Sequence, residues 1–452
     1  MMRVMAKIYL VLLMFCLCGA APARAVQIEE VTAPETGVKA WLVEDHRLPV
    51  ISMQVAFRGG SEQDPADKQG LATLTMNLLT EGAGPYDAAA FQRMLTDRSI
   101  SLSFDAGRDT LNGGLKCLSA DKARAFDMLR LALTQPHFAL RDVERLRAGQ
   151  LAAVRQQIGD PDWQARYALF SEIYGAHPYG ERHLGSTQTL QAITLDDIRH
   201  FAADHLARDN AIIAVAGDIT PDDLAAALDR IFAGLPAQAK LTPIADVPDW
   251  GHFPPTVVKR AGTQTEIMFA MPGPKRDDPD WYAAQIANYI LGGGGFASRL
   301  MHDVRDEKGL TYGIETLLAP ADHGGLIIGE AAVDNPKVPE ALATIRDTMR
   351  HFYDDGATGK EIAAAKDYLT GAMPLNLTST DKIAAMLVAV QRDHLGRDYL
   401  DRYDGLIRGV TKDDVARAID HWFDPDNVTD VMVGDPAASA LRDAQIKEQV
   451  RQ

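Results

Sequence analysis

The chain repeats itself at a fixed distance, and that repeat limits the folds open to it. Ile193-Thr194-Leu195-Asp196-Asp197-Ile198 recurs as Val410-Thr411-Lys412-Asp413-Asp414-Val415. Asp209-Asn210 recurs as Asp426-Asn427, and Ala214-Val215-Ala216-Gly217-Asp218 recurs as Val431-Met432-Val433-Gly434-Asp435. All three matches share an offset of 217 residues (411 − 194 = 435 − 218). In each copy a Thr followed by acidic residues starts a helix: the hydroxyl accepts a free amide, and carboxylates suit the positive end of the helix dipole. Asp-Asn then makes a turn, an apolar strand follows, and Gly-Asp ends it. Common helix–turn–strand chemistry can produce one such match. An ungapped register over about twenty-five residues points to duplication.

A period this long is no solenoid repeat. It implies two domains of about 210 residues each, a normal domain size. The expected boundaries are 26–235 for an N-terminal domain, 236–255 for a linker and 256–452 for a C-terminal domain. The linker lies in a stretch, Phe232–Pro255, that is rich in Pro and Ala and has no clear period. Val50–Phe57 and Ser99–Asp105 show partial strand alternation, whereas Asp121–Thr134, Asp142–Gln157, Glu340–Phe352 and Gly359–Ala372 show helical spacing. Strands and helices do not alternate strictly. The expected class is therefore α+β: two homologous α/β-sandwich domains, each with helices packed on a largely antiparallel sheet.

Residues 1–25 read as a signal peptide. Arg3 and Lys7 precede a short apolar run, Ile8–Cys18, and Ala23-Arg24-Ala25 is a small-residue cleavage site. An uncleaved anchor is the competing reading, but the run is too short to span a bilayer comfortably. Phe15 and Leu17, which precede Cys16 and Cys18, do not make a lipobox. Export makes the expected location periplasmic or secreted, with no stable membrane insertion. The mature chain keeps one cysteine, Cys117, so it forms no internal disulfide. Cys117 reads as a half-buried core thiol. The formal charge of −16 becomes −19 without Arg3, Lys7 and Arg24 (−16 − 3). That balance argues against nucleic acid as a partner.

The next informative stretch runs Gly70-Leu71-Ala72-Thr73-Leu74-Thr75-Met76-Asn77-Leu78-Leu79-Thr80-Glu81-Gly82, after a strand-like segment and the loop Arg58–Gln69. It resembles the pitrilysin/insulinase family of inverted zinc peptidases, whose motif is Gly-Leu-Ala-His-x-x-Glu-His-x-x-x-x-Gly. There the two His are zinc ligands one helical turn apart, and the Glu between them is the general base. Here those positions are Thr73, Met76 and Asn77, none a suitable ligand or base. The family's third ligand is a Glu some seventy-five residues further on, which falls near Ala153 and Val154. Residues 148–158 hold no carboxylate. Other pairings serve no better. His200 and His205 stand about 140° apart around one helix. His177 and His183 flank the turn Pro178-Tyr179-Gly180, and no third ligand stands out. No metal or other cofactor is expected in this chain.

The second half carries Leu291-Gly292-Gly293-Gly294-Gly295-Phe296-Ala297-Ser298-Arg299-Leu300, then Met301-His302-Asp303-Val304-Arg305-Asp306-Glu307-Lys308-Gly309-Leu310-Thr311-Tyr312-Gly313. A phosphate loop is rejected because no Gly-Lys-Ser/Thr ends the glycine run. The expected structure is a tight entry into a helix from about Ala297 to Lys308, Gly309 as its C-cap, and a strand Leu310–Leu318. The segment resembles the same family's C-terminal signature, Gly-Gly-x-x-Ser-Arg-Leu…Arg-Glu-x-x-Gly-Leu-x-Tyr, with Asp306 where Glu is usual. Spacing alone makes Arg305 a complement to the helix dipole and Tyr312 a core residue. The resemblance instead assigns them as the catalytic-site pair that holds the substrate carbonyl and its oxyanion. It implies half of a clamshell, completed by a homologous subunit that carries the zinc, closing on a peptide or unfolded-protein substrate. A structural or peptide-binding scaffold subunit is the alternative.

Overall fold

The computed structural model describes residues 27–248, 253–437 and 445–447. The signal segment and residues 249–252 of the linker lie outside the described residues.

The first sheet contains β1 (Glu29–Thr32), β2 (Lys39–Glu44), β3 (Val50–Arg58), β4 (Ser101–Ala106), β5 (Thr110–Leu118) and β6 (Ala211–Gly217), in the order β1-β2-β6-β3-β5-β4. The β2–β6 pair is parallel and the others are antiparallel. The second sheet contains β7 (Thr256–Lys259), β8 (Gln264–Gly273), β9 (Thr311–Ala319), β10 (Gly325–Asp334), β11 (Thr429–Gly434) and β12 (Gln445–Lys447), in the order β12-β7-β11-β8-β10-β9. Five strands occur in the same spatial order in both sheets. Only the sixth differs: β1 joins antiparallel, β12 parallel. Both sheets are thus largely antiparallel and covered by helices, as the class read from sequence requires.

The helices that matter below are α1 (Leu71–Leu78), α2 (Lys122–Thr134), α3 (Leu140–Ile158), α4 (Pro161–Tyr174), α5 (Leu195–His205), α6 (Trp281–Asn288), α7 (Val338–Asp355), α8 (Gly359–Ala372), α9 (Thr380–Arg392) and α10 (Lys412–Trp422). Adding 217 to the bounds of α5 gives 412–422, those of α10. The same shift carries α4 onto 378–391, which overlaps α9. At both repeat copies the Thr and the third residue after it cap each other. Thr194 Oγ1 accepts from Asp197 N (3.2 Å) and Thr411 Oγ1 from Asp414 N (3.1 Å). In return, each Asp accepts its Thr amide at 2.8 Å. Thr411→Ala is expected to cost about 1 kcal/mol, read as a lower urea midpoint at unchanged slope.

Each sheet buries one face on its own helices and lends the other to a helix from the opposite half. On the second sheet, Ala165, Leu169 and Ile173 of α4 pack against Val258, Met268, Ala270, Val431 and Val433. On the first, Ile383, Ala384 and Leu387 of α9 pack against Val43, Ala214 and Ala216. Ser52 Oγ and Thr380 Oγ1 meet at 2.8 Å, and Gln391 Nε2 donates to Ile213 O at 3.0 Å. Coverage on both faces explains why β6 is a continuous apolar run and why β11 carries one at Val431-Met432-Val433, since neither face meets water there. Cys117 lies fully in the core between the first sheet and its own helices, and not half in it; burial pushes its thiol up to about 12.

The helix expected from Ala297 to Lys308 is different in detail. Residues Tyr289–Gly293 continue α6 as a π-turn, Gly295–Ala297 form one 3₁₀ turn, and Met301–Glu307 form a π-helix. Gly309 has φ +61° and its N–H donates to Arg305 O, so it terminates the helix as expected.

Candidate functional site

In the first half, the three positions of the zinc motif are occupied by structural groups. Thr73 spends its hydroxyl on His183 O at 2.9 Å, and Met76 is fully buried among core side chains. Asn77 is exposed. On α3, which crosses α1, Val154 is core, and Gln150 is buried with its Nε2 donating to Gly70 O (3.1 Å) and Leu184 O (3.0 Å). Asp64 caps α1 by accepting from Gly70 N and Ala72 N, both at 2.8 Å; burial lifts its carboxyl to about 7 against those two bonds. The donor set is one amide and one hydroxyl, which does not fit a catalytic zinc.

The histidines weighed as ligands are committed elsewhere. His177 accepts from Tyr179 N through Nδ1, and its Nε2 meets Ala245 O at 2.8 Å. His205 is buried, bonded to Phe201 O and stacked on the Phe201 ring. Among the described residues one other group, His302, Asp303 and Glu307, brings its donor atoms within 4.8 Å of one another. It is exposed, and the hydrogen bond to Asp303 raises the His302 pKa, which favours the protonated, non-ligating ring.

The second half sorts its signature into supports and free groups. Gly292 lies so close to β9 that a Cβ would stand 2.4 Å from Thr316 Oγ1 and 2.8 Å from Thr316 N. Asn288 locks this contact, donating to Thr316 O and accepting from Thr316 Oγ1. Ser298 Oγ donates to Gly295 O, and Leu300 is core. Arg299 clamps Glu361 at 2.7 and 2.9 Å and stacks over Phe352, holding the Glu361 carboxyl down at about 2.

Arg305 and Tyr312 are the free groups. They share the wall of one open recess of about 380 Å³, together with Gln264, Asp334 and Lys337. Tyr312 is 91% exposed, and a register shift explains it. Ala331 pairs with Ile314 but Val333 pairs with Thr311, so two β9 residues, Tyr312 and Gly313, oppose the single Ala332. Regular alternation would have aimed Tyr312 to the same side as buried Ile314; the bulge turns it out, as bulges do beside functional surfaces. Arg305 donates to Asp306 Oδ1 at 2.8 Å, and its guanidinium lies 4.7 Å from the ring of Phe296, itself 72% exposed. Phe296 was not singled out by the sequence, since its spacing to Arg305 has meaning only once the π-helix is seen. Along the same sheet a second recess of about 300 Å³ is lined by Asp162, Glu266 and Glu330. Burial, and then the neighbouring carboxylates, raise Glu266 to about 7.

Residues 192–369 match the Peptidase M16 inactive domain, a span that holds the whole second-half signature. The fold matches the crystal structure of a peptidase M16 inactive domain from Pseudomonas fluorescens, at 28% identity and a TM-score of 0.83, covering 91% of this chain and 99% of that one. These matches support an inactive homologue from the peptidase M16 family. Within it, the chain is similar to the non-peptidase homologue YmxG of Helicobacter pylori (27% identical; 74% of this chain, 77% of that protein). It is also similar to the uncharacterised zinc protease YmxG of Bacillus subtilis (22% identical; 85% of this chain, 96% of that protein). As an M16 homologue it lacks the family's zinc motif, so it is an inactive member in the sense of its own metal site.

Proposed function

We propose that this M16 homologue is the zinc-free subunit of a two-chain peptidase. It pairs with a zinc-bearing homologue, and together they close on a peptide or small unfolded protein. The partner brings the metal and the general base; this chain brings Arg305 and Tyr312. A guanidinium and a phenol hydroxyl are suited to bind a peptide carbonyl and to stabilise the oxyanion that forms on it. The observation that carries the reading is the contrast between the halves. The zinc positions hold a bonded hydroxyl, a buried thioether and an amide, none of them fit for the metal, whereas Arg305 and Tyr312 both line an open recess, Tyr312 turned into it by a bulge. We further propose that the chain is exported by residues 1–25 to the periplasm or beyond, and that residues 26–235 and 256–452 act as its two domains. No helix of the described residues is long and apolar enough to cross a membrane.

One finding favours the second reading, a scaffold or peptide-binding subunit without proteolysis: the Helicobacter pylori relative is named a non-peptidase homologue. Peptide hydrolysis and zinc content of the mature chain, alone and mixed with a zinc-bearing homologue, separate the two. Hydrolysis above that of the homologue alone, seen only on mixing, supports the shared site. Complex formation with no gain in hydrolysis supports the scaffold.

A further inference from the structure

The two halves meet at a buried carboxyl that the proposed function does not use. Glu62, in the loop after β3, is 7% exposed, yet its Oε2 has no hydrogen-bond partner among the described residues. Around it stand groups from both halves and from the segment between them. Asp109, from the β4–β5 side, accepts from Tyr179 Oη at 2.6 Å and from Asp322 N at 3.3 Å. Asp322 and His323 belong to the turn between β9 and β10, and His323 N donates to Tyr179 Oη at 3.0 Å. The His323 ring lies 3.5 Å from Glu62 Oε2 on one side and 3.5 Å from Asp246 Oδ1 on the other. The joint thus gathers three carboxyl groups, Glu62, Asp109 and Asp322, around backbone bonds that tie the halves together.

We propose that Glu62 is a proton-operated latch between the halves: protonated, it donates to Asp109 and the joint stays closed; ionised, it repels Asp109 and Asp322 and the joint loosens. The geometry favours a proton there, since a buried carboxylate with no hydrogen bond to its Oε2, beside two other carboxyl groups and with only the His323 ring 3.5 Å away, is strongly disfavoured. Burial, reinforced by Asp109 and Asp322, raises the Glu62 pKa to about 8, and the same kinds of cause raise Asp322. A carboxyl with a raised folded-state pKa keeps its proton through neutrality; its support for the fold, full below the unfolded-state value, is lost progressively as pH rises toward about 8 and is gone above it. Of the facing groups that can carry positive charge, the His323 ring comes within 3.5 Å of Glu62, and Arg392 acts on Asp109 and Asp322. Arg58 lies 3.7 Å from Asp322 and donates to Arg392 O, Lys275 holds Asp246, and Arg108 stacks on the Tyr179 ring.

The test is hydrogen exchange of the full chain at the Asp322 and His323 amides, from about pH 6.5 to about pH 9, with β3 amides as the global reference. In the wild type, exchange at the two joint amides should rise about tenfold more than at β3, and Glu62→Gln should abolish that excess. No excess in the wild type, or an equal excess in Glu62→Gln, overturns the latch. If Glu62→Gln does not fold, Asp322→Asn removes one of the three carboxylates and must flatten the same curve; an unchanged curve overturns the proposal. The readout uses this chain alone, so it stands or falls independently of any zinc-bearing partner.

Discussion

In the mixture with a zinc-bearing homologue, Arg305→Ala should leave the pair assembled and lower kcat by about 10²–10³-fold, the usual cost of removing one preorganised oxyanion donor. Arg305 is not a support of the fold. Its recorded partners are its neighbour Asp306 and the exposed face of Phe296, so truncation leaves the core intact. Arg299, six residues earlier, ties the π-helix to α8 and makes a useful contrast. Arg299→Ala should lower stability, whereas Arg305→Ala should leave the melting temperature nearly unchanged. Tyr312→Phe keeps the ring and removes one hydroxyl, so its loss should be smaller, about tenfold. Steady-state kinetics of the mixture, beside a pull-down of the pair, check both. An Arg305→Ala pair with wild-type kcat would remove the role assigned to it.

Gly217→Ala should be among the most destabilising single changes in the first half, by about 3–5 kcal/mol. Gly217 ends β6 with φ +129°, where an L side chain is strained, and an added Cβ would stand 2.0 Å from Val50 O. That oxygen belongs to β3, the strand between β6 and β5, and cannot swing aside as a flexible side chain could. Its repeat counterpart Gly434 is also crowded, with Thr265 Cα 2.7 Å from the same imagined atom, but it has no positive φ. Gly434→Ala should therefore cost less. Gly371, inside α8 with nothing within 4 Å, supplies the control: Gly371→Ala should stabilise by about 0.5–1 kcal/mol. Urea titrations rank the three. Equal costs at Gly217 and Gly371 would contradict the crowding argument.

The repeat and the helix starts were legible because they depend on local chemistry. Thr194 and Thr411 announce their caps to any reader of Thr-x-x-Asp, and the 217-residue offset survives in α4 and α9 without any sequence match there. The environment of Tyr312 was not legible. Alternation along Leu310–Leu318 predicts a core side chain, and only the pairing of β9 with β10 shows the extra residue that turns it outward. The π-helical turns escaped for a related reason: glycines permit many tight entries, and it is Asn288 and Thr316, far apart in sequence, that select this one. Glu62 is the same kind of case. A Glu in a polar loop reads as solvated until the β9–β10 turn closes over it.

The exchanged helices have a consequence for biosynthesis. When residues up to Phe232 have been made, β1 through β6 can pair, but the face that carries Ala214 and Ala216 has no cover until Ile383, Ala384 and Leu387 arrive about 150 residues later. A nascent or truncated first half therefore displays an apolar sheet surface, a natural client for a holding chaperone and a target for quality-control proteases. Neither half can be shed, duplicated or fused on its own without exposing its sheet. The tandem arrangement of a single polypeptide, with both halves delivered in order, keeps each supplied with the helix it borrows.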